Sequence, residues 1–342
     1  MRTTWMIAIT ILTIAFSTLP SAAKAQIAAP RLNPVSPKAT NPVNPAAQSF
    51  NKSSWVSAAL SVDFTTESTI GGTTATTREA EGDYLIGAQI SGEFLTLGAE
   101  ADQLSFTRPN TDFTGEFLFK MVNLSIVLGE SLAIGGGFHT REVNLSGTDT
   151  TTFPPFDIPF TKTEEGSLPL LGAVIKFGDN FFAGFAAGDE TVKQTATFDL
   201  TQLALGIQSA EDEGERGILR YGIGYYSRDG ENGLHAELYV EEIDLLDFSD
   251  PNFEDIDGEE STSLTLETII SNVLFSVEYT QTDLSNATGV YAESKSTDFS
   301  VGWVPEEGFS VVFSMGSVET VDSTTGDSEN EETTFLGIAW LF

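Results

Sequence analysis

Two imidazoles, no thiol and a large excess of carboxylates bound the chemistry open to this 342-residue chain. His139 sits in Phe138-His139-Thr140-Arg141 and His235 in Leu234-His235-Ala236-Glu237. Hydrolysis by a serine or an activated water needs such a histidine next to its nucleophile and an orienting acid. Neither histidine lies in a histidine-x-serine pattern, and no distinctive acidic pair accompanies them. The expectation is therefore no enzyme, no catalytic residues, and two histidines bonded to their neighbours. Without cysteine there is no thiolate chemistry and no cysteine metal site. Residues 247–260 (DFSDPNFEDIDGEE) are dense in oxygen ligands, but their spacing does not match a calcium loop. They read as a solvated acidic loop that offers at most loose binding of divalent cations. No metal centre and no cofactor is expected.

More informative is a set of charges that falls opposite a regular apolar series. It comprises Asp63, Asp83, Glu100, Asp102, Glu190, Glu237, Glu241, Glu267, Glu278 and Asp298, with Arg141, Lys176, Arg220 and Arg228 as the fewer bases. Such charges need strands to position them. From Trp55 onward the apolar period is two: Val56, Ala58, Leu60, Val62 and Phe64, then Leu219, Tyr221, Ile223 and Tyr225, then Leu234, Ala236, Leu238 and Val240. A period of two places alternate residues on opposite faces of a strand. The segments predict fourteen strands, near 55–66, 78–91, 93–107, 113–128, 131–146, 162–177, 180–195, 215–228, 233–248, 259–271, 273–285, 293–304, 308–322 and 331–342. Their connections alternate in length. Short turns fall at Ser91-Gly92-Glu93, Gly129-Glu130, Gly178-Asp179-Asn180, Asp229-Gly230-Glu231-Asn232, Ser271-Asn272 and Pro305-Glu306-Glu307. Longer polar loops are expected near 67–77, 147–161, 196–214, 249–258 and 323–330. Short turns at one end and long loops at the other suit an up-and-down barrel, with apolar side chains toward lipid and polar ones toward the lumen.

The N-terminal region is different. Arg2, the apolar stretch from Trp5 to Leu19 and Ala23-Lys24-Ala25 make residues 1–25 a cleavable export signal. Residues 26–49 follow as a proline-rich periplasmic tail or plug, and 50–342 form the barrel. The tail has no hydrophobic periodicity and reads as an extended, mobile spacer. Within it, Asn44-Pro45-Ala46 resembles the asparagine-proline-alanine box in the plug of long-chain fatty-acid transporters, although the surrounding plug sequence is missing. No acid occurs before Asp63, so Arg31, Lys38 and Lys52 make the tail basic. The rest sets 50 acids against 11 bases, within a net charge of −34. A basic tail beside an acidic barrel could plug it electrostatically. The acidic body also repels nucleic acid, which is not expected as a partner.

The last strand, Thr334 to Phe342, carries Leu336, Ile338, Trp340 and Phe342 on one face. It resembles the assembly signal of bacterial outer-membrane proteins, whose final strand alternates apolar residues and closes on an aromatic. Trp303 and Phe309 flank a short turn, as in an interfacial aromatic girdle. The whole mature chain thus resembles bacterial outer-membrane β-barrels of porin-like architecture. The resemblance implies an outer-membrane location, surrounding lipid and the barrel-assembly machinery as partners. A fourteen-strand barrel is wide enough for a narrow passage. A surplus of lumen carboxylates would favour cations, so the expected function is passive diffusion of small hydrophilic solutes with cation preference. Two alternatives stand beside it. One is a gated channel for hydrophobic small molecules, similar to the fatty-acid and aromatic-hydrocarbon transporters; the other is a closed structural or surface-interaction barrel. Strand 113–128 is apolar on both faces, and Pro169 interrupts Leu168-Pro169-Leu170-Leu171. That pair of features resembles the lateral gate of hydrophobic-compound transporters. Its ordinary account is a proline near a strand end or bulge, with inner apolar residues packed under a folded loop.

Overall fold

The computed structural model describes residues 44–46, 54–70, 73–79, 84–107, 114–149, 158–229, 231–246, 257–286, 289–305, 307–323 and 325–341. The signal (1–25), most of the tail, Asp83, the side chains of Asp63 and Arg228, most of the acidic loop and Phe342 lie outside the described residues.

Period-two patterning becomes one antiparallel sheet of fifteen segments: β1 (Trp55–Ile70), β2 (Thr73–Glu79), β3 (Tyr84–Ser91), β4 (Leu95–Thr107), β5 (Thr114–Leu128), β6 (Leu132–Asp149), β7 (Ile158–Phe177), β8 (Phe181–Leu200), β9 (Gly206–Asp229), β10 (Asn232–Ile243), β11 (Gly258–Ile270), β12 (Val273–Asn286), β13 (Gly289–Trp303), β14 (Gly308–Asp322) and β15 (Ser328–Leu341). Each pairs with its neighbour, and β15 returns to pair with β1. Segments β2 and β3 share one partner. The first lies along Phe64–Ile70 of β1 and the second along Trp55–Leu60. They are successive pieces of one barrel strand, so the closed barrel has the expected fourteen. Closure matters because a sheet edge in hydrocarbon would leave backbone groups without partners.

Side-chain alternation follows the closure. Leu171, Ile223, Phe299 and Leu60 are 73%, 59%, 59% and 58% exposed on the outer face, while their sequence neighbours turn inward. Outward aromatics Phe94, Trp303, Phe309 and Trp340 gather at the short-turn end, where an interfacial girdle belongs. Leu336 and Ile338 share that outer face with Trp340. At the Ser271-Asn272 turn both residues take positive φ, 51° and 64°, the geometry that joins two strands without splaying them.

Two expected loops are strand instead. Residues 67–70 and 73–77 belong to β1 and β2, which pair with each other, and 196–214 carry β8 and β9 well past the apolar band. The charge-rich run Glu211-Asp212-Glu213-Gly214 reads as loop, yet it is paired throughout with β8, and Lys193 bridges to Glu211 at 3.0 Å. The true turn is a single 3-10 turn at Thr201–Leu203, with Ala204 at φ 61°. Asp199 accepts hydrogen bonds from the Thr201 hydroxyl (2.5 Å) and amide (3.0 Å). Those bonds hold the Asp199 carboxyl below its ordinary range.

Pro169 also departs from expectation. It stands in the middle of β7, not near an end. Its pairing with Phe138 of β6 is intact. On the other side the β7–β8 ladder runs to Ser167↔Thr191, skips two pairs, and resumes in unchanged register at Leu170↔Gly188. A proline has no N–H to give the ladder. Its carbonyl leans over Gly188, where any Cβ would collide with it.

The outward face carries a direct consequence. Ile223→Arg should place a charge against lipid and lower the unfolding free energy by ~2–4 kcal/mol, read by denaturant titration of the protein folded into vesicles. An unchanged midpoint would mean that β9 does not face lipid as described.

Candidate functional site: a tiered lumen beside a break in the wall

Inward positions on adjacent strands fall level with one another because the register is regular, and they sort into tiers. Toward the long-loop end, Ile158, Val192, Ala196, Phe198, Leu200 and Leu246 form a buried apolar cluster. Below it lies an ionic tier. Arg141 reaches Glu164 and Glu190, each at 2.6 Å, and Arg216 holds the second oxygen of Glu190 at 2.7 Å. Gln194 donates to Glu164 at 3.0 Å. Gly166 leaves room for this crossing, since a Cβ there would strike Glu190 and Arg141. Next comes a second apolar tier of Leu168, Leu170, Ala186, Ile218 and Ile243. It lies directly inside the break at Pro169.

Another ionic tier closes off the apolar one. Arg220 pairs with Glu241, and the Tyr239 hydroxyl donates to the same carboxylate at 3.2 Å. On the β5–β6 wall, Met121 is buried and Phe119 meets His139 edge-on at 5.8 Å, with His139 Nε2 3.0 Å from Asn123 Oδ1. Nearer the short turns, His235 stands between two carboxylates, with Nδ1 2.7 Å from Glu267 and Nε2 3.1 Å from Glu237. Phe182 and Tyr226 flank its ring. Taking one partner from such a buried pair leaves an uncompensated charge, which costs about 3–5 kcal/mol.

Asn44, Pro45 and Ala46 are inside the barrel, nearly inaccessible to solvent. The Asn44 amide donates to the carbonyls of Ala173 (3.1 Å) and Phe185 (3.0 Å), a cross-strand pair of β7 and β8. Its own oxygen accepts from the Ala46 N–H at 3.0 Å. Three glycines make the seat. A side chain at Gly135 would strike the Pro45 backbone, one at Gly172 the Asn44 amide, and one at Gly184 would press on it at 3.0 Å. Ala46 then packs with Ala133, Val174 and Phe182.

Of the charges expected in the lumen, Arg141, Glu190, Arg220, Glu237, Glu241, Glu267 and Glu278 are inward on one wall, and all but Arg141 are buried below a tenth of their surface. Glu100, Asp102 and Asp298 are half-buried on other strands, with Asp298 standing over Gly316. The Asp63 backbone pairs with Thr334 just past a bulge in β1. Lys176 is half-buried at the short-turn end of β7. The structure thus brings Arg141, Glu190, Arg220, Glu237, Glu241 and Glu267 of that set into closely packed, paired tiers. Arg216 and Glu164 complete the upper tier and were missed. Their parity with Arg220 on β9 and with Leu168 and Leu170 on β7 is the signal that places them inward.

A cavity of about 330 Å³ opens on the wall over β5–β9 and reaches in to Arg141 and Gly166. Ser167 and Thr191, the first paired residues beyond the break, line it together with Lys120, Glu142, Lys193 and Glu213. The break is thus flanked by apolar side chains inside and by this cavity.

The glycine seat can be tested on its own. Asn44→Ala removes three hydrogen bonds worth about 0.5–1.5 kcal/mol each, so the amides of residues 44 and 46 should exchange hydrogen at least roughly tenfold faster. Hydrogen-exchange mass spectrometry reads this, and unchanged protection would rule out the docking.

No protein-family model matches the chain, and no curated protein matches it in sequence. Solved structures do match. The CymD monoaromatic hydrocarbon channel is similar at TM-score 0.59 and 12% identity, over 88% of this chain and 91% of that one. A Pseudomonas aeruginosa FadL homologue is similar at TM-score 0.60 and 11% identity, over 90% and 95%. The Ralstonia pickettii toluene transporter TbuX gives 0.56 and 11%, over 87% and 92%. At such identities the likeness concerns the fold: this chain is a closed fourteen-strand transmembrane barrel of the kind these bacterial channels share.

Proposed function

We propose that the protein is an outer-membrane channel for small hydrophobic molecules, which enter at the apolar mouth and leave the lumen sideways through the wall. The observation that carries this reading is the break at Leu168-Pro169 opposite Asp189-Glu190, with an apolar tier directly inside it. A hydrophobic solute gains nothing from an axial path through buried ion pairs. It does gain from passing between apolar side chains into lipid, at about 25 cal/mol per Å² kept from water. The similar structures named as hydrocarbon channels and a toluene transporter support the same class of cargo. The expected porin for hydrophilic solutes is less well supported, because Glu190, Glu237, Glu241 and Glu267, four of the carboxylates meant to attract cations, are buried and paired.

Within this reading, residues 1–25 direct export, and the outward apolar face of β15 is what the barrel-assembly machinery recognises. Residues 26–49 act as a plug whose box grips β7 and β8, the two strands that flank the break. Holding the Ala173 and Phe185 carbonyls together just below the opening would limit how far the wall parts.

Replacing the proline tests the route. Pro169→Val restores an N–H to β7 and allows the ladder to zip. Uptake of toluene by cells carrying the folded variant should fall about tenfold, the equivalent of ~1.4 kcal/mol in the passage barrier, while planar-bilayer conductance of the native protein stays low. Full uptake in the variant would remove the lateral route. A large, cation-selective conductance without toluene uptake would return the protein to the hydrophilic porins.

A further inference from the structure

The tiers on either side of the break carry charge, and that charge bears on which hydrophobic molecules can rest between them. This inference builds on the channel reading above. Among the described residues four bases face the lumen at and below the upper tier: the buried Arg216, Arg220 and His235, and the half-buried Arg141. Every one already holds a carboxylate. Arg141 and Arg216 share Glu190, Arg141 also holds Glu164, Arg220 holds Glu241, and His235 lies between Glu237 and Glu267. Glu278, buried on β12, adds one more carboxylate to this wall. The buried acids thus outnumber the bases. Lys176 lies at the short-turn rim, below both tiers.

A site for a fatty acid or another carboxylate needs a cation free to receive the headgroup, because a buried anion without a partner pays its full desolvation. Here an arriving carboxylate would have to displace a glutamate from its arginine, strand that glutamate in turn, and enter a region with surplus negative charge. An uncharged molecule meets only Leu168, Leu170, Ala186, Ile218 and Ile243 and disturbs no ion pair. We propose that the lumen selects uncharged hydrophobic molecules and rejects carboxylate-headed amphiphiles, with the engaged Arg216–Glu190 and Arg220–Glu241 pairs acting as the filter. Rejection of this sort is specificity by penalty against the wrong ligand.

The full chain, held in amphipol at pH 8, can be probed by displacement of the uncharged fluorophore N-phenyl-1-naphthylamine. The competitors are 1-dodecanol and dodecanoate, equal in chain length and different in charge. Measurements at roughly 0.5 M salt screen the acidic exterior but leave buried charge unscreened. Dodecanol should displace the fluorophore at a concentration at least about tenfold below that of dodecanoate. Glu241→Gln frees Arg220 and should narrow or reverse that ratio. Glu278→Gln leaves the four base–carboxylate pairs named above in place, lowers the negative charge of this wall and should narrow the ratio in a protein that still folds. Equal or tighter binding of dodecanoate, or a ratio unmoved in both variants, would overturn the charge filter and leave the channel reading standing. Failure of the fluorophore and of both competitors to bind would overturn the two together.

Discussion

A backbone amide in hydrocarbon has no water to turn to, and the architecture of this chain follows from that single restriction. The sheet must close, so β15 pairs with β1 along fourteen residue pairs and no edge is left in the bilayer. Once closed, each strand has two unlike faces, lipid outside and a confined lumen inside. The period of two then assigns every side chain to one or the other. The single interruption among the described pairings of the spanning wall from β5 to β9, at Pro169, stands out against this rule. It sits at the mid-strand proline of β7, which has no N–H to lose.

The lumen solves a related difficulty by the opposite means. Polar side chains there are too crowded to stay hydrated, so they satisfy one another in layers. Arg141 and Arg216 meet on Glu190, and Arg220 meets Glu241 and, through that carboxylate, Tyr239. Apolar residues fill the levels between. Alternating ionic and greasy layers give a barrel that is dry along part of its axis and still carries many charges. Under the proposed function, such layers would resist axial passage of hydrated ions and leave the wall as the easier exit for something apolar.

Much of this was legible in the sequence. Strand number, short-turn positions and the face that each residue of β9 or β10 presents all follow from local alternation, because the period of a strand is set by its own backbone. The faces of β5, apolar on both sides, and the extent of β8 and β9 did not follow. Glu211 to Gly214 look like a loop until Lys193 and the rest of β8 are known to lie alongside. Cross-strand relations were hidden for the same reason: which glutamate meets which arginine depends on register, and register is a property of pairs. Asn44 is the extreme case. Its partners are 129 and 141 residues away, and the inward glycines 135, 172 and 184 gain meaning only when three strands are laid side by side.

That separation has a bearing on how the molecule comes to be. The docking surface for Asn44 does not exist until β7 and β8 have paired, although the box is made long before either of them. Trp55 likewise waits for Leu341, at the far end of the chain, before β1 has its second neighbour. The earliest segments to be synthesised are therefore among the last to find their contacts, and through that interval they must be kept from aggregating or pairing wrongly. Shielding of the early strands until the late ones arrive is thus as much a requirement of this topology as the lipid that finally surrounds it.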